Sequence, residues 1–202
     1  MEIMNLFDIP ATGNILPYDG EVIYSGKILA EEEANRYLSI LLHDIAWKHD
    51  EAVIFGRHII TRRMVAWYGD DNYSYTYSNK TRVALPWTKE LLELKTLTER
   101  FTGTVYNSCL LNLYHNGDEG MAWHSDDEKM LQKDGSIASL SFGATRKFSL
   151  KHRVSKETLS LLLESGSLLE MKGSTQTHWL HTLPKSKKIM QPRVNLTFRV
   201  MV

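Results

Sequence analysis

Between Val105 and Val202 the chain is divided by turn signals at Asn116-Gly117, Asp134-Gly135, Ser165-Gly166 and Lys172-Gly173. Gly and polar pairs of this kind punctuate strands, so this half reads as a run of short antiparallel strands. The closing PRVNLTFRVMV fixes the pattern most firmly, because polar and apolar residues alternate with no internal Gly or Pro. Strand side chains change face at every residue, which puts Arg193, Asn195, Thr197 and Arg199 on one face. Val194, Leu196, Phe198 and Val200 take the other. Such a polar face either meets water, as in half-buried sheets, or lines a cavity. In a cavity, two arginines on one wall would suit a small dicarboxylate, since guanidinium pairs bidentately with carboxylate.

The upstream half supplies helices. Ala30 to about Ile45 carries an apolar stripe of Ala34, Leu38, Leu41 and Ile45. Glu31, Glu32 and Glu33 fall in its first turn, where the helix dipole favours negative charge. Pro86 is expected to open a second helix running to about Arg100 and stopped by Gly103. Residues 52–78 read as strands. Helices beside antiparallel strands give a mainly β, α+β chain, a jelly roll with helical support. No internal repeat or low-complexity linker breaks the 202 residues, which suit a single domain, 1–202. Within it, residues 1–104 would hold the N-terminal helices and recognition strands, and 105–202 the core.

Composition limits the setting. No secretory signal or apolar run of membrane-span length is evident. The one cysteine, Cys109, lies in an apolar strand pattern. It reads as a small core residue in a reducing, intracellular compartment, cytoplasmic in a bacterium or nuclear in a eukaryote. Net charge is zero, yet acidic residues dominate 1–51, and after Glu170 only Lys172, Lys185, Lys187, Lys188, Arg193 and Arg199 carry charge. Local basic patches could meet a polyanion, with modest and salt-dependent affinity. Lys185–Lys188 itself reads as a solvated turn.

Chemistry concentrates in MAWHSDDE, where His124 and Asp126 form the chain's only His-x-Asp pair. A His and a carboxylate two apart, with a distant second His, make the triad that holds Fe(II) on one face and leaves other positions open. The strand SCLLNLYHNG just upstream puts Asn112 and Tyr114 on one face. The second His is a choice between His178 and His181 in THWLH, which spacing does not settle, although on one strand the two would face opposite ways. His43 and His49 lie near the predicted end of the first helix, and His58, His115 and His152 have no evident partner at ligand spacing.

The segments LLNLYHNGDEGMAWHSDDE, ASLSFGATRKFSLKHR, GSLLEMKGSTQTHWLHTLP and PRVNLTFR, in that order over about 105–200, resemble the AlkB-like Fe(II)/2-oxoglutarate dioxygenases. The likeness is nearest to homologues that repair alkylated duplex DNA, and it extends weakly upstream through IFGRHIITRRMVAWYGDDNYSYTYS. It implies a double-stranded β-helix, an N-terminal nucleotide-recognition region, and Fe(II), 2-oxoglutarate and dioxygen as cofactors. It implies iron on His124, Asp126 and His181, the last favoured over His178 because the family's ligand directly precedes a turn-like segment. Arg193 would pair with the distal carboxylate of 2-oxoglutarate, with Asn112 and Tyr114 adding hydrogen bonds. Arg199 would sit near its chelating end and Asn195 would support the wall.

The implied reaction is oxidative demethylation of 1-methyladenine and 3-methylcytosine in DNA, releasing formaldehyde, by a monomer with no membrane association. RNA demethylation and protein side-chain hydroxylation share the same core, and a non-catalytic nucleic-acid-binding module is a further alternative. Tyr73, Tyr75 and Tyr77 share a strand face suited to stacking, while Trp67 reads as core. By resemblance Tyr75 and Tyr77 line the base pocket, with the base between Tyr77 and His124. Glu128 would lie near the base's exocyclic amine, where its charge suits cationic lesions; alternatively it is a surface residue on a charged turn. Phe55 resembles a wedge that fills the gap of a flipped base, or is a core strand residue, and Arg63 would contact DNA nearby.

Overall fold

The structure, a computed structural model, describes residues 13–54, 57–71, 73–77 and 80–202. Two antiparallel sheets make the body. In the larger, seven strands run in the order β1 (Glu21–Lys27), β11 (Ser167–Lys172), β8 (Ile137–Gly143), β13 (Arg193–Arg199), β6 (Ser108–Tyr114), β3 (Arg57–Gly69) and β2 (Lys48–Ile54). The smaller has the order β10 (Thr158–Leu163), β9 (Arg146–His152), β12 (Trp179–Leu183) and β7 (Met121–His124). A separate hairpin pairs β4 (Ser74–Tyr77) with β5 (Lys80–Val83). The turn signals at 116–117, 134–135 and 165–166 fall between strands, and Lys172-Gly173 marks the end of β11. This is the jelly roll expected, a double-stranded β-helix with helices on one side.

Those helices are α1 (Glu31–Asp44) and α2 (Lys89–Thr102). In α1, Ala34, Tyr37 and Leu41 recur at helical spacing and are buried against the large sheet. The second helix begins later than Pro86 suggests. Thr88 caps it, its hydroxyl accepting from the Leu91 amide at 3.2 Å, so the first turn forms at Lys89. Gly103 ends it at φ 70, returning its N–H to the Glu99 carbonyl. Leu91 and Leu94 go fully inside, and burying each stabilises by about 1.5–3 kcal/mol.

Sheet register decides what the interior holds. The outer face of the large sheet presents Leu111, Leu140, Val194, Leu196 and Phe198 to the helices. Its inner face is apolar toward β1 and β11, where Val22, Leu169 and Met171 pack on Phe148, Leu150 and Trp179 of the small sheet. Toward β13 and β6 it is polar. Asn195 stands level with Asn112 on one side and Ser141 on the other, and Arg193 level with Tyr114. A one-residue slip would turn this whole row outward.

The alternating strand Arg193–Arg199 is therefore buried on both faces apart from Arg199, and its polar face does not meet water. Cys109 is a fully buried core residue, as expected. His49 belongs to β2 rather than the end of α1. Among the described residues, no helix is long and apolar enough to cross a membrane.

Candidate active site

Adjacent strands of the small sheet bring the two histidines together. His124 closes β7 and pairs in register with His181 on β12, their rings 4.2 Å apart. Asp126 follows His124 by two residues and is buried, its backbone N–H donating to Gln176 Oε1 at 2.9 Å. One ligating atom from each of the three residues lies within 4.8 Å of the others. His124 Nδ1 stands 2.8 Å from the Ala122 carbonyl, a contact that places its hydrogen there and leaves Nε2 with a lone pair. That Nε2 is 3.9 Å from Asp126 Oδ1.

Electrostatics favour the ligating forms. Burial pushes His181 down from 6.5 to about 4, outweighing the opposing pull of Asp126, so the ring is neutral at pH 7. Burial alone would raise the Asp126 carboxyl. Arg199, His181 and His124 together outweigh it and hold the group below its ordinary value. Two imidazoles, that of His181 held neutral by burial, and one carboxylate are a donor set suited to Fe(II).

The wall opposite comes from the large sheet. Arg199 Nη2 reaches Asp126 Oδ1 at 3.0 Å, and Nη1 lies 3.6 Å from Glu128. Deeper, Arg193 is 2 % exposed and donates from Nη2 to Ser141 Oγ at 3.0 Å and Asn195 Oδ1 at 2.7 Å. Asn195 also accepts from Ser139 and donates to Thr197. The ring of Tyr114 lies 5.7 Å from the Arg193 guanidinium. Among the described residues Arg193 Nε is buried without a hydrogen-bond partner, and burial pulls the guanidinium down to about 10. A buried cation of this kind, braced only by neutral acceptors, is strongly disfavoured until an anion meets it. The residues present therefore fit both a divalent metal and a small carboxylate beside it.

Several contacts here had no signal in the sequence. Arg146, 1 % exposed, donates to the carbonyls of Asn116, Glu119 and Pro184, tying the β6–β7 loop to the segment after β12. In that loop a Cβ on Gly117 would collide with the Ser186 carbonyl, so only glycine permits the approach. His115 pairs with Glu119 at 3.0 Å. Gln176, which positions Asp126, sits on α3 (Thr175–His178), far away in sequence. His178 is the last residue of this short helix, so the strand alternation expected of THWLH begins only at Trp179.

The residues expected to meet substrate are placed unevenly. Arg63 is ion-paired with Asp50 and donates to Asn112 Oδ1 at 2.8 Å, so its guanidinium braces Asn112. Glu128 is 45 % exposed at the mouth beside Arg199. Trp67 is partly buried, donating to Ser108 Oγ and stacked on Tyr73. Phe55 lies outside the described residues, as do the side chains of Tyr75 and Tyr77. Their strand, β4, pairs Tyr75 with Arg82 and Tyr77 with Lys80.

Fold and site together define a jelly-roll protein with a buried His-Asp-His group able to hold a divalent metal and a buried arginine suited to a small anion, the donor set of a non-haem oxygenase. The model of the 2OG-Fe(II) oxygenase superfamily matches residues 21–199, and the chain belongs to that family. Its cofactors are accordingly Fe(II), 2-oxoglutarate and dioxygen. The chain is similar to human alpha-ketoglutarate-dependent dioxygenase alkB homolog 3, with 40 % identity over 84 % of this chain and 62 % of the relative. It is 40 % identical to human DNA oxidative demethylase ALKBH2 over 72 % of this chain and 59 % of that protein. Against the Arabidopsis thaliana DNA oxidative demethylase ALKBH2 the values are 30 %, 93 % and 68 %. The chain thus spans about three fifths of the length of the first two relatives. The solved structure of OsALKBH1 shares the fold, with TM-score 0.59 and 15 % identity over 93 % of this chain and 99 % of that one.

Proposed function

We propose that this chain oxidatively demethylates N-alkylated bases in DNA, with 1-methyladenine and 3-methylcytosine as substrates. The observation that carries the reading is the buried Arg193, its Nε unpartnered among the described residues, on the wall across from His124, Asp126 and His181. Similarity to proteins named DNA oxidative demethylase directs the choice of substrate.

Fe(II) held by His124, Asp126 and His181 would supply, with 2-oxoglutarate and dioxygen, the oxidation that removes an N-methyl group as formaldehyde. The chain's own groups orient and select. Arg193 binds the distal carboxylate of 2-oxoglutarate, and Asn195 and Ser141 keep the guanidinium aimed at it. Asn112, braced by Arg63, and Tyr114 complete that wall. Arg199 holds Asp126 in place and marks the chelating end.

The partly exposed ring of His124 offers a stacking face for a base, and the resemblance implies Tyr75 and Tyr77 as the other residues of that pocket. Glu128 sets a negative charge where a cationic methylated base would lie, which favours it over neutral bases. Trp123 is 38 % exposed, with Lys151 Nζ 4.3 Å from its ring centre, and Arg153 donates to Ser125. These cations beside the metal ligands suit a phosphate backbone. Phe55 fills the gap left by the flipped base, and the chain acts as a monomer.

The test is aerobic incubation with Fe(II), 2-oxoglutarate and ascorbate, following a 1-methyladenine oligonucleotide by mass spectrometry as single strand and duplex. Loss of one methylene unit that depends on 2-oxoglutarate is expected, and Phe55→Ala should impair duplex more than single strand. Succinate formation with the methyl group retained would overturn the substrate, and faster turnover of a methylated ribo-oligonucleotide would move it to RNA.

A further inference from the structure

A second group of the same composition stands at the other end of β9 and β12. Ligating atoms of Asp19, His152 and His178 all lie within 4.8 Å of one another. His152 is the last residue of β9, pairs in register with Trp179, and is 4 % exposed. The ring of His178, at the end of α3, lies 6.2 Å from that of His152 with the planes 19° apart. Asp19, in the turn before β1, brings Oδ2 to 3.3 Å from His152 Nε2.

The surroundings hold these groups in place. Trp179 Nε1 donates to the Tyr18 carbonyl at 3.1 Å, and the Tyr18 ring meets His152 edge-on at 5.0 Å. The Tyr18 hydroxyl contacts Ser155 and Glu157, each at 2.7 Å. One residue past Asp19 and Gly20, the Glu21 amide donates to Thr175 Oγ1, at the start of α3. Asp19 and His178 are thus fixed to the same pair of elements.

His152 Nε2 is buried and faces the group; Asp19 Oδ2 approaches it at 3.3 Å, but among the described residues no neighbour completes a well-aligned hydrogen bond to it, so the position suits a ligand shared with that carboxylate. We infer that Asp19, His152 and His178 form a second metal site, for a divalent transition ion of the zinc type. Two imidazoles and one carboxylate match zinc, nickel or cobalt, whereas calcium and magnesium prefer oxygen donors throughout. Three protein ligands leave a fourth position for water.

The second nitrogen of His152 fits this role. Ser155 presents both its amide and its hydroxyl to Nδ1 at 3.1 Å. Without metal, the amide hydrogen points at Nδ1 and the ring carries its proton on Nε2. With metal on Nε2 the proton moves to Nδ1, and Ser155 Oγ accepts it, the usual outer partner of a ligating imidazole. Giving up the amide contact weakens the site relative to a purely structural zinc centre. A bound ion would pin the turn at 18–20 to the small sheet.

Metal-free protein is equilibrated with Zn(II), freed of excess by gel filtration, and its bound zinc counted by elemental mass spectrometry. Wild type is expected to retain two equivalents. Asp19→Ala and His178→Ala, each at an exposed or half-buried position, should retain one and fold normally by circular dichroism. His181→Ala should also retain one, lost on addition of His178→Ala. Retention of the second equivalent by either Asp19→Ala or His178→Ala overturns the assignment, as does a wild type whose zinc content His178→Ala leaves unchanged.

Discussion

The chain builds two histidine pairs with a carboxylate, and β9 and β12 contribute to the surroundings of both. Around His124, Asp126 and His181 the large sheet adds Arg199 against the carboxylate and Arg193 deeper in the interior. Around Asp19, His152 and His178 the neighbours are Tyr18, Trp179 and Ser155, with no buried cation among the described residues. Equal donors thus acquire different capacities. A metal alone can be held by either group, but a metal with an anionic cosubstrate needs the arginine wall. The wall, more than the ligands, distinguishes an oxygenase centre from a metal clip.

Substitutions can break that contrast, the largest effect first. Asp126→Ala removes the one anionic ligand and leaves Arg199 unpaired, so 2-oxoglutarate consumption should fall to the assay background. Arg193→Met keeps all three ligands and removes the anchor. Charge-assisted hydrogen bonds of this type are worth about 1.5–3 kcal/mol, so the KM for 2-oxoglutarate should rise roughly ten- to a hundredfold. The same variant should lose the rise in Tm that saturating 2-oxoglutarate gives wild type.

Protonation probes the His181 centre in the metal-free state. His181 titrates at about 4 in the folded chain and near 6.5 unfolded, so the unfolded chain takes up the proton first as pH falls. Stability is therefore full above pH 6.5 and declines toward pH 4, by about 1–3 kcal/mol. Urea midpoints measured across that range should flatten in His181→Gln. Smallest is Gln176→Ala, which removes the acceptor for the Asp126 amide. Iron affinity should weaken about tenfold, read by competition with a chelator, while the KM for 2-oxoglutarate stays within a few-fold.

Much of this was legible in the chain. Alternation in PRVNLTFR showed which residues share a face, because period two is a local property. It could not show whether that face is wet, since this depends on β6 and β8 flanking β13 and on the second sheet above. Asn112 and Tyr114 were legible for the same reason as Arg193.

Arg146, Gln176 and the pairing of Asp19 with His152 were not. Each acts through a partner distant in sequence, and no spacing records such a contact. His152 looked unpartnered for that reason. Arg63 was legible as a cation but not in its direction, which the ion pair to Asp50 and the bond to Asn112 determine. The helix start at Lys89 turned on a local cap, with Thr88 prevailing over Pro86.

The most direct test of the oxygenase centre is anaerobic titration with Fe(II) and 2-oxoglutarate, watching for the visible charge-transfer band that forms when the keto acid chelates iron. Wild type should develop the band stoichiometrically, Asp126→Ala should not form it, and Arg193→Met should need far more 2-oxoglutarate. A band of full intensity in Asp126→Ala, or one in Arg193→Met at wild-type 2-oxoglutarate concentrations, would contradict the assignment of metal and wall.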